Sequence, residues 1–206
     1  SLKDFTEKDK IAMPAVKVSI QAVTLQMAAE QAFGAGQQNR LDSLTVSMSH
    51  PDGQAALLSG TGEVSAHFSS PPFQYQQLEK PGIRNVLNSY QVLGGPATFN
   101  EEWTTTRFRN ENPRVYEAFV KALDEAIGAI NKDKKWAAEF YLRVSKDKDT
   151  LENILKMLND PNIAYTTTPQ NIMKYVNFMH KVGSIKVKPD SWKDLFFPNA
   201  HNLSGS

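Results

Sequence analysis

The 206-residue sequence contains no cysteine. That excludes disulfides, thiolate nucleophiles and sulfur-ligated zinc, and it leaves the redox compartment open. A large surplus of either charge sign is also missing: Lys+Arg 23 against Asp+Glu 22 leave +1 at pH 7, so no bulk basic field exists to hold a nucleic acid or an anionic membrane. The longest apolar runs, such as residues 55–58 and 136–138, fall far short of the ~18 residues that suggest a membrane-spanning helix. A soluble chain without a nucleic-acid partner is therefore expected. Hydrophobic residues make up 40% of the chain, enough for one large domain or two small lobes with real cores. The chain opens on Ser1, Leu2 and Lys3 with neither a starting Met nor a charged-then-apolar leader, and a processed or cut form is expected.

Between residues 10 and 90 short apolar segments alternate with helical ones. Strands are predicted over 10–16, 43–49, 64–69 and 83–89, and helices over 19–33 and 52–58 with a helical turn over 72–78. In the first helix Ile20, Val23 and Met27 recur at helical spacing, and Gly34 and Gly36 stop it. Strand-helix-strand order implies an α/β fold with parallel pairing and crossover helices. Past Gly94-Gly95-Pro96, a linker or hinge signal, one extended piece (97–107) gives way to helices predicted over 113–131, 134–144, 150–159 and 169–182. The first of these carries a wide apolar stripe through Val115, Phe119, Leu123, Ile127 and Ile130. Such stripes need a partner layer, yet no sheet is legible beside them. The missing layer is expected upstream of the chain, or else in self-association.

An open parallel sheet takes ligands beyond the carboxyl ends of its strands. The residues there are Ser19 and Gln21 after the first strand, His50, Pro51 and Asp52 after the second, and Ser69 to Phe73 after the third. Ser19 stands at a helix N-terminus, where it either caps its own helix or helps receive an anion. His67 shares a strand face with Ser65 and Ser69, opposite Ala66 and Phe68, so it faces a cleft or is partly exposed. His50 precedes a helix start in which Asp52 reads as a cap rather than an acid or a ligand. The four histidines lack metal spacing, no metal is expected, and neither GxGxxG, GxxxxGK[ST] nor GxSxG occurs. Glu101 and Glu102 are neighbours on an extended segment and point to opposite faces. Asn100 and Trp103, just past the hinge signal, offer an amide and an aromatic wall for a small molecule.

The runs KIAMPAVKVSIQAVTLQMAAEQAFG, LTVSMSHPDGQAALLSGTGEVSAHFSSPPF and VLNSYQVLGGPATFNEEWTTTRFRNENPRVYEAFVKALDEA together resemble the periplasmic substrate-binding proteins of nitrate/sulfonate/taurine-type ABC transporters, over about residues 5–197. The resemblance implies a periplasmic-binding-protein-like fold in which 5–92 form a complete second lobe. It makes 93–99 a hinge crossing and 100–206 the mostly helical C-terminal portion of the first lobe, whose N-terminal portion is absent. It further implies a periplasmic, non-enzymatic protein without a cofactor, which traps a small, often anionic solute between lobes and passes it to a membrane permease with its ATPase subunit. By analogy Ser19, Gln21, His67, Ser69, Asn100 and Trp103 become ligand contacts. Two other functions fit the same scaffold: an effector-sensing domain of a transcriptional regulator, and an enzyme of pyrimidine-precursor synthesis.

Overall fold

The computed structural model describes residues 1–206, and the chain is α/β with a three-stranded parallel sheet. It divides into two compact units, residues 1–97 with 171–192 and residues 98–170 with 193–206.

In the first unit the strands are β1 (Ile11–Met13), β2 (Thr45–Ser47) and β3 (Ala66–His67), in the order β2-β1-β3. Ile11 pairs with Thr45 on one side and Ala66 on the other, and Ala12 with Val46 and His67. Helix α1 (Ile20–Phe33) crosses from β1 to β2, and α2 (His50–Leu58) from β2 to β3. Both start on a serine in extended conformation. Ser19 Oγ accepts from the Ala22 amide at 3.2 Å and Ser49 Oγ from the Asp52 amide at 3.3 Å, each satisfying a first-turn donor that the helix itself cannot. Gly34 ends α1 at φ 106°, a conformation open to glycine.

The spacing of Ile20, Val23 and Met27 suggests one apolar face on α1, but the structure buries every residue from Gln21 to Ala29. Ala22, Leu25 and Ala29 pack on Ile11, Met13, Leu41 and Leu44, while Val23, Met27 and Ala28 pack on Val92, Leu93 and Phe178. The helix is thus enclosed between two clusters, and its polar Thr24 and Gln26 find partners: Tyr175 Oη at 3.0 Å, and Asp42 Oδ2 at 2.9 Å.

The expected fourth strand over 83–89 is not formed. Its segment has no regular secondary structure up to Asn88, whose side chain accepts from the Tyr90 amide at 2.8 Å and starts helix α4 (Ser89–Leu93). The helix then sets Val92 and Leu93 into the core against α1, a burial that an extended continuation would forgo. The other strands are shorter than expected, β3 being two residues long. A 3-10 stretch, Gln38–Leu44, leads into β2, and α3 (Phe73–Leu78) follows β3.

Helix α9 (Ile172–Lys181) belongs to this first unit, which departs from the expected partition at 92 and 100. Phe178 sits in the cluster with Val92 and Leu93, and Lys181 Nζ meets Glu30 at 2.6 Å. Burial of an aromatic ring outweighs proximity in sequence here. The chain passes between units at 97–98, 170–171 and 192–193.

The second unit holds α5 (Thr106–Glu111), α6 (Pro113–Lys132), α7 (Lys134–Ser145) and α8 (Leu151–Leu158), and no strand. Helix α8 buries Ile154, Met157 and Leu158 and α7 buries Ala137 and Ala138, but α6 buries no residue. Val115 and Phe119 of its stripe stay 57% and 51% exposed. Arg109 lies over the rings of Tyr116 and Phe197, 5.6 and 5.0 Å from their centroids, which ties the returning C-terminal segment to α5 and α6.

Candidate functional site

The strand order makes β1 a switch point. From β1 the chain crosses to β2 on one side, then passes back over β1 to β3 on the other. Connections that part in opposite directions leave a crevice at the carboxyl ends of the strands. Four polar or aromatic side chains gather there, each delivered by a different element. Gln21 comes from the first turn of α1, His50 is the first residue of α2, His67 is the last residue of β3, and Gln77 lies in α3. Strand alternation accounts for His67: Ala66 and Phe68 pack on the core around Ile11 and Met13, which turns the imidazole to the other face.

The side chains form a chain of contacts. Gln77 Nε2 lies 2.7 Å from His67 Nδ1, His67 Nε2 lies 3.0 Å from His50 Nδ1, and His50 Nε2 lies 3.5 Å from Gln21 Nε2. Phe73 stacks on His50 with centroids 5.6 Å apart. Gly53 of α2 completes the fit, because a Cβ there would stand 2.9 Å from His67 Nε2. Gln21 and Gln77 are buried and the two histidines half-buried. Burial, reinforced by the neighbouring His50, pushes the His67 pKa down to about 4, and burial lowers that of His50 as well. Both rings are therefore neutral at pH 7.

Two facing imidazoles raise the question of a metal. The ring centroids are 5.2 Å apart while the nitrogens are 3.0 Å apart. The excess is about two ring radii, so the nitrogens point at one another. At a tetrahedral zinc two such nitrogens would stand about 3.3 Å apart with both lone pairs turned aside to the ion rather than at one another. The arrangement fits a hydrogen bond, and no group of three or more potential ligands surrounds it.

Of the residues proposed from sequence, Gln21 and His67 lie in this network. Ser19 caps α1 just before Gln21, and its hydroxyl hydrogen stays available, since the cap uses only an oxygen lone pair. Ser69, two residues past β3, turns its hydroxyl toward the Ser70 carbonyl at 3.5 Å. Asn100 and Trp103 belong to the other unit, on an exposed segment where Trp103 is 87% accessible. Sequence reading set His50 beside a helix start and singled out neither Phe73 nor Gln77. For His50 and Phe73 the signal was their place just after a predicted strand. Gln77, in the run FQYQQL, has no signal, because three glutamines in one short helix look alike until a partner selects one. A groove of about 370 Å³ lined by Leu57, Leu58, Gly60, Lys80, Pro81 and Ile83 lies at the other end of α2, away from this network.

No protein-family model, curated protein or solved structure matches this chain.

Proposed function

We propose that this chain is the solute-binding component of an ABC importer, which takes up a small, nitrate-, sulfonate- or taurine-like solute in the periplasm and delivers it, chemically unchanged, to a membrane permease and its ATPase. The sequence runs that resemble such proteins motivate the reading. The observation that carries it is the gathering of Gln21, His50 and His67 at the carboxyl edge of a parallel sheet, beside the Ser19-capped start of α1. Neutral donors and a helix N-terminus suit a small anion better than a cation, and the site offers hydrogen bonds without a fixed counter-charge that would hold the solute too tightly for release.

Titration calorimetry with nitrate, taurine, an aromatic sulfonate and a neutral pyrimidine tests the proposal. One of the anionic solutes is expected to bind with 1:1 stoichiometry, and Ser19→Ala is expected to weaken that binding five- to tenfold at a temperature where the variant is folded. No heat from any solute, or binding confined to the pyrimidine, would refute the anion-capture function.

A further inference from the structure

His67 Nε2 and His50 Nδ1 stand 3.0 Å apart, a distance that fits one N–H···N bond, whereas two hydrogens facing each other across it would be about 1 Å apart. The contact therefore holds one hydrogen. That count is the same whichever way the Gln77 and Gln21 amides are turned. A neutral pair distributes two hydrogens over four ring nitrogens, one in the contact and one on an outer nitrogen, and a first added proton takes the outer nitrogen that is still bare. The contact survives that step. Gln77, 2.7 Å from His67 Nδ1, has an oxygen as well as hydrogens to offer it. A second added proton has no place left but the contact itself.

The two rings are not equally free to part. His67 is fixed in the sheet, since the amides of Ala66 and Phe68 donate to the carbonyls of Lys10 and Ala12 at 3.1 and 2.8 Å, and Gly53 of α2 closes on its ring. His50 is half-buried at the first residue of α2, with only the Phe73 stack and the 3.5 Å contact to Gln21 besides. The positive end of α2 also disfavours a cation there. No counter-charge comes from the elements packed around it: β1 carries no titratable residue, β3 only His67, α3 only Tyr75, and α1 none before Glu30. On α2 itself the one carboxylate, Asp52, is engaged by the Ser49 hydroxyl at 2.5 Å.

We infer that the His50–His67 contact is an acid-released latch between α2 and β3: it accepts one proton intact, and the second drives the His50 ring off His67 and Phe73 into water while the fold persists. Burial, which lowers the proton affinity of both rings and takes His67 to about 4, sets the release in the acid range. The latch goes beyond solute capture and does not depend on it.

The test is a proton and nitrogen-15 NMR titration of the imidazoles in the intact chain from neutral pH into the acid range, followed in parallel by far-ultraviolet circular dichroism. Strongly coupled groups titrate as a pair, so both rings are expected to respond to each of two steps separated by more than about one pH unit. Cross-relaxation between the ring protons of His50 and Phe73 should survive the first step and be lost through the second, with the dichroism unchanged. His67→Gln, which removes the facing charge, should leave His50 a single step and preserve its contact with Phe73 throughout. Should this variant not fold, the native titration decides alone. Independent single steps with coincident midpoints overturn the latch, as does a His50–Phe73 contact that persists once both rings are charged. Loss of that contact only together with the dichroism overturns it too, because the release is then part of global unfolding. None of these readings involves a solute, so failure of the latch leaves the capture proposal to its own calorimetric test.

Discussion

At the residue scale the network is governed by one requirement, that His67 and His50 share a single hydrogen between two nitrogens 3.0 Å apart. Protonating His67 would place its charge in a half-buried site and deny His50 an uncharged neighbour, hence its pKa near 4. Lowered pKa in the fold means that the unfolded chain binds the extra proton first. Stability is therefore full above pH 6.5 and declines as pH falls from there toward 4. The expected loss over that range is on the order of 1 kcal/mol, reduced from the unscreened value because the ring is part-exposed. Thermal melts between pH 7 and pH 4 should show the decline, and it should flatten in His67→Gln. An equal acid-side decline in that variant would place the effect elsewhere.

At the scale of elements, α2 meets β3 through Gly53, the helix's one buried residue. Alanine there would add about 0.8–1 kcal/mol of helix propensity. Its Cβ would also press to 2.9 Å from His67 Nε2 and near two further ring atoms. Both ends of that imidazole are tied, to Gln77 and to His50, so it cannot swing aside without breaking a bond. Overpacking of this kind costs about 1–3 kcal/mol. Gly53→Ala is therefore expected to lose about 1 kcal/mol net in chemical denaturation, where an exposed helical glycine would gain. A stabilised variant would show that the ring yields freely. The same pairing of elements explains why α2 starts at His50, two residues earlier than its apolar pattern suggests. The Ser49 cap and Pro51, with no amide hydrogen to lose, let the first turn form there.

The whole molecule is uneven. Helix α1 is buried from Gln21 to Ala29 between two hydrophobic clusters, while α6, the longest helix, buries nothing. Opening energies follow buried contact, so amide exchange is expected to rank the two in that order. Amides of residues 23–29 should exchange on the order of a hundredfold more slowly than those in the middle of α6. Mass-spectrometric exchange on the intact chain measures it. Equal protection would mean that the stripe of Val115 and Phe119 is covered in solution.

Much was settled by the chain alone. A compact apolar run identified β1, and alternation and helical spacing identified β2, β3, α1 and the four late helices to within a few residues. Caps were equally legible: Ser19 precedes its helix with a side chain that can do nothing cheaper than accept from the first turn. The position of His67 on the face away from Ala66 and Phe68 followed from the two-residue repeat of a strand. Tertiary structure decided the remainder. Residues 83–88 are as apolar as a strand needs, yet α4 follows them because Val92 and Leu93 have a cavity-filling role beside α1 that no local pattern encodes. Helix α9 joined the first unit by burying Phe178, and the network joined Gln21 to Gln77 across 56 positions through two histidines, contacts of high sequence separation that only packing can specify. Periodicity records how far each residue lies from water; it contains no information on which neighbour keeps the water out.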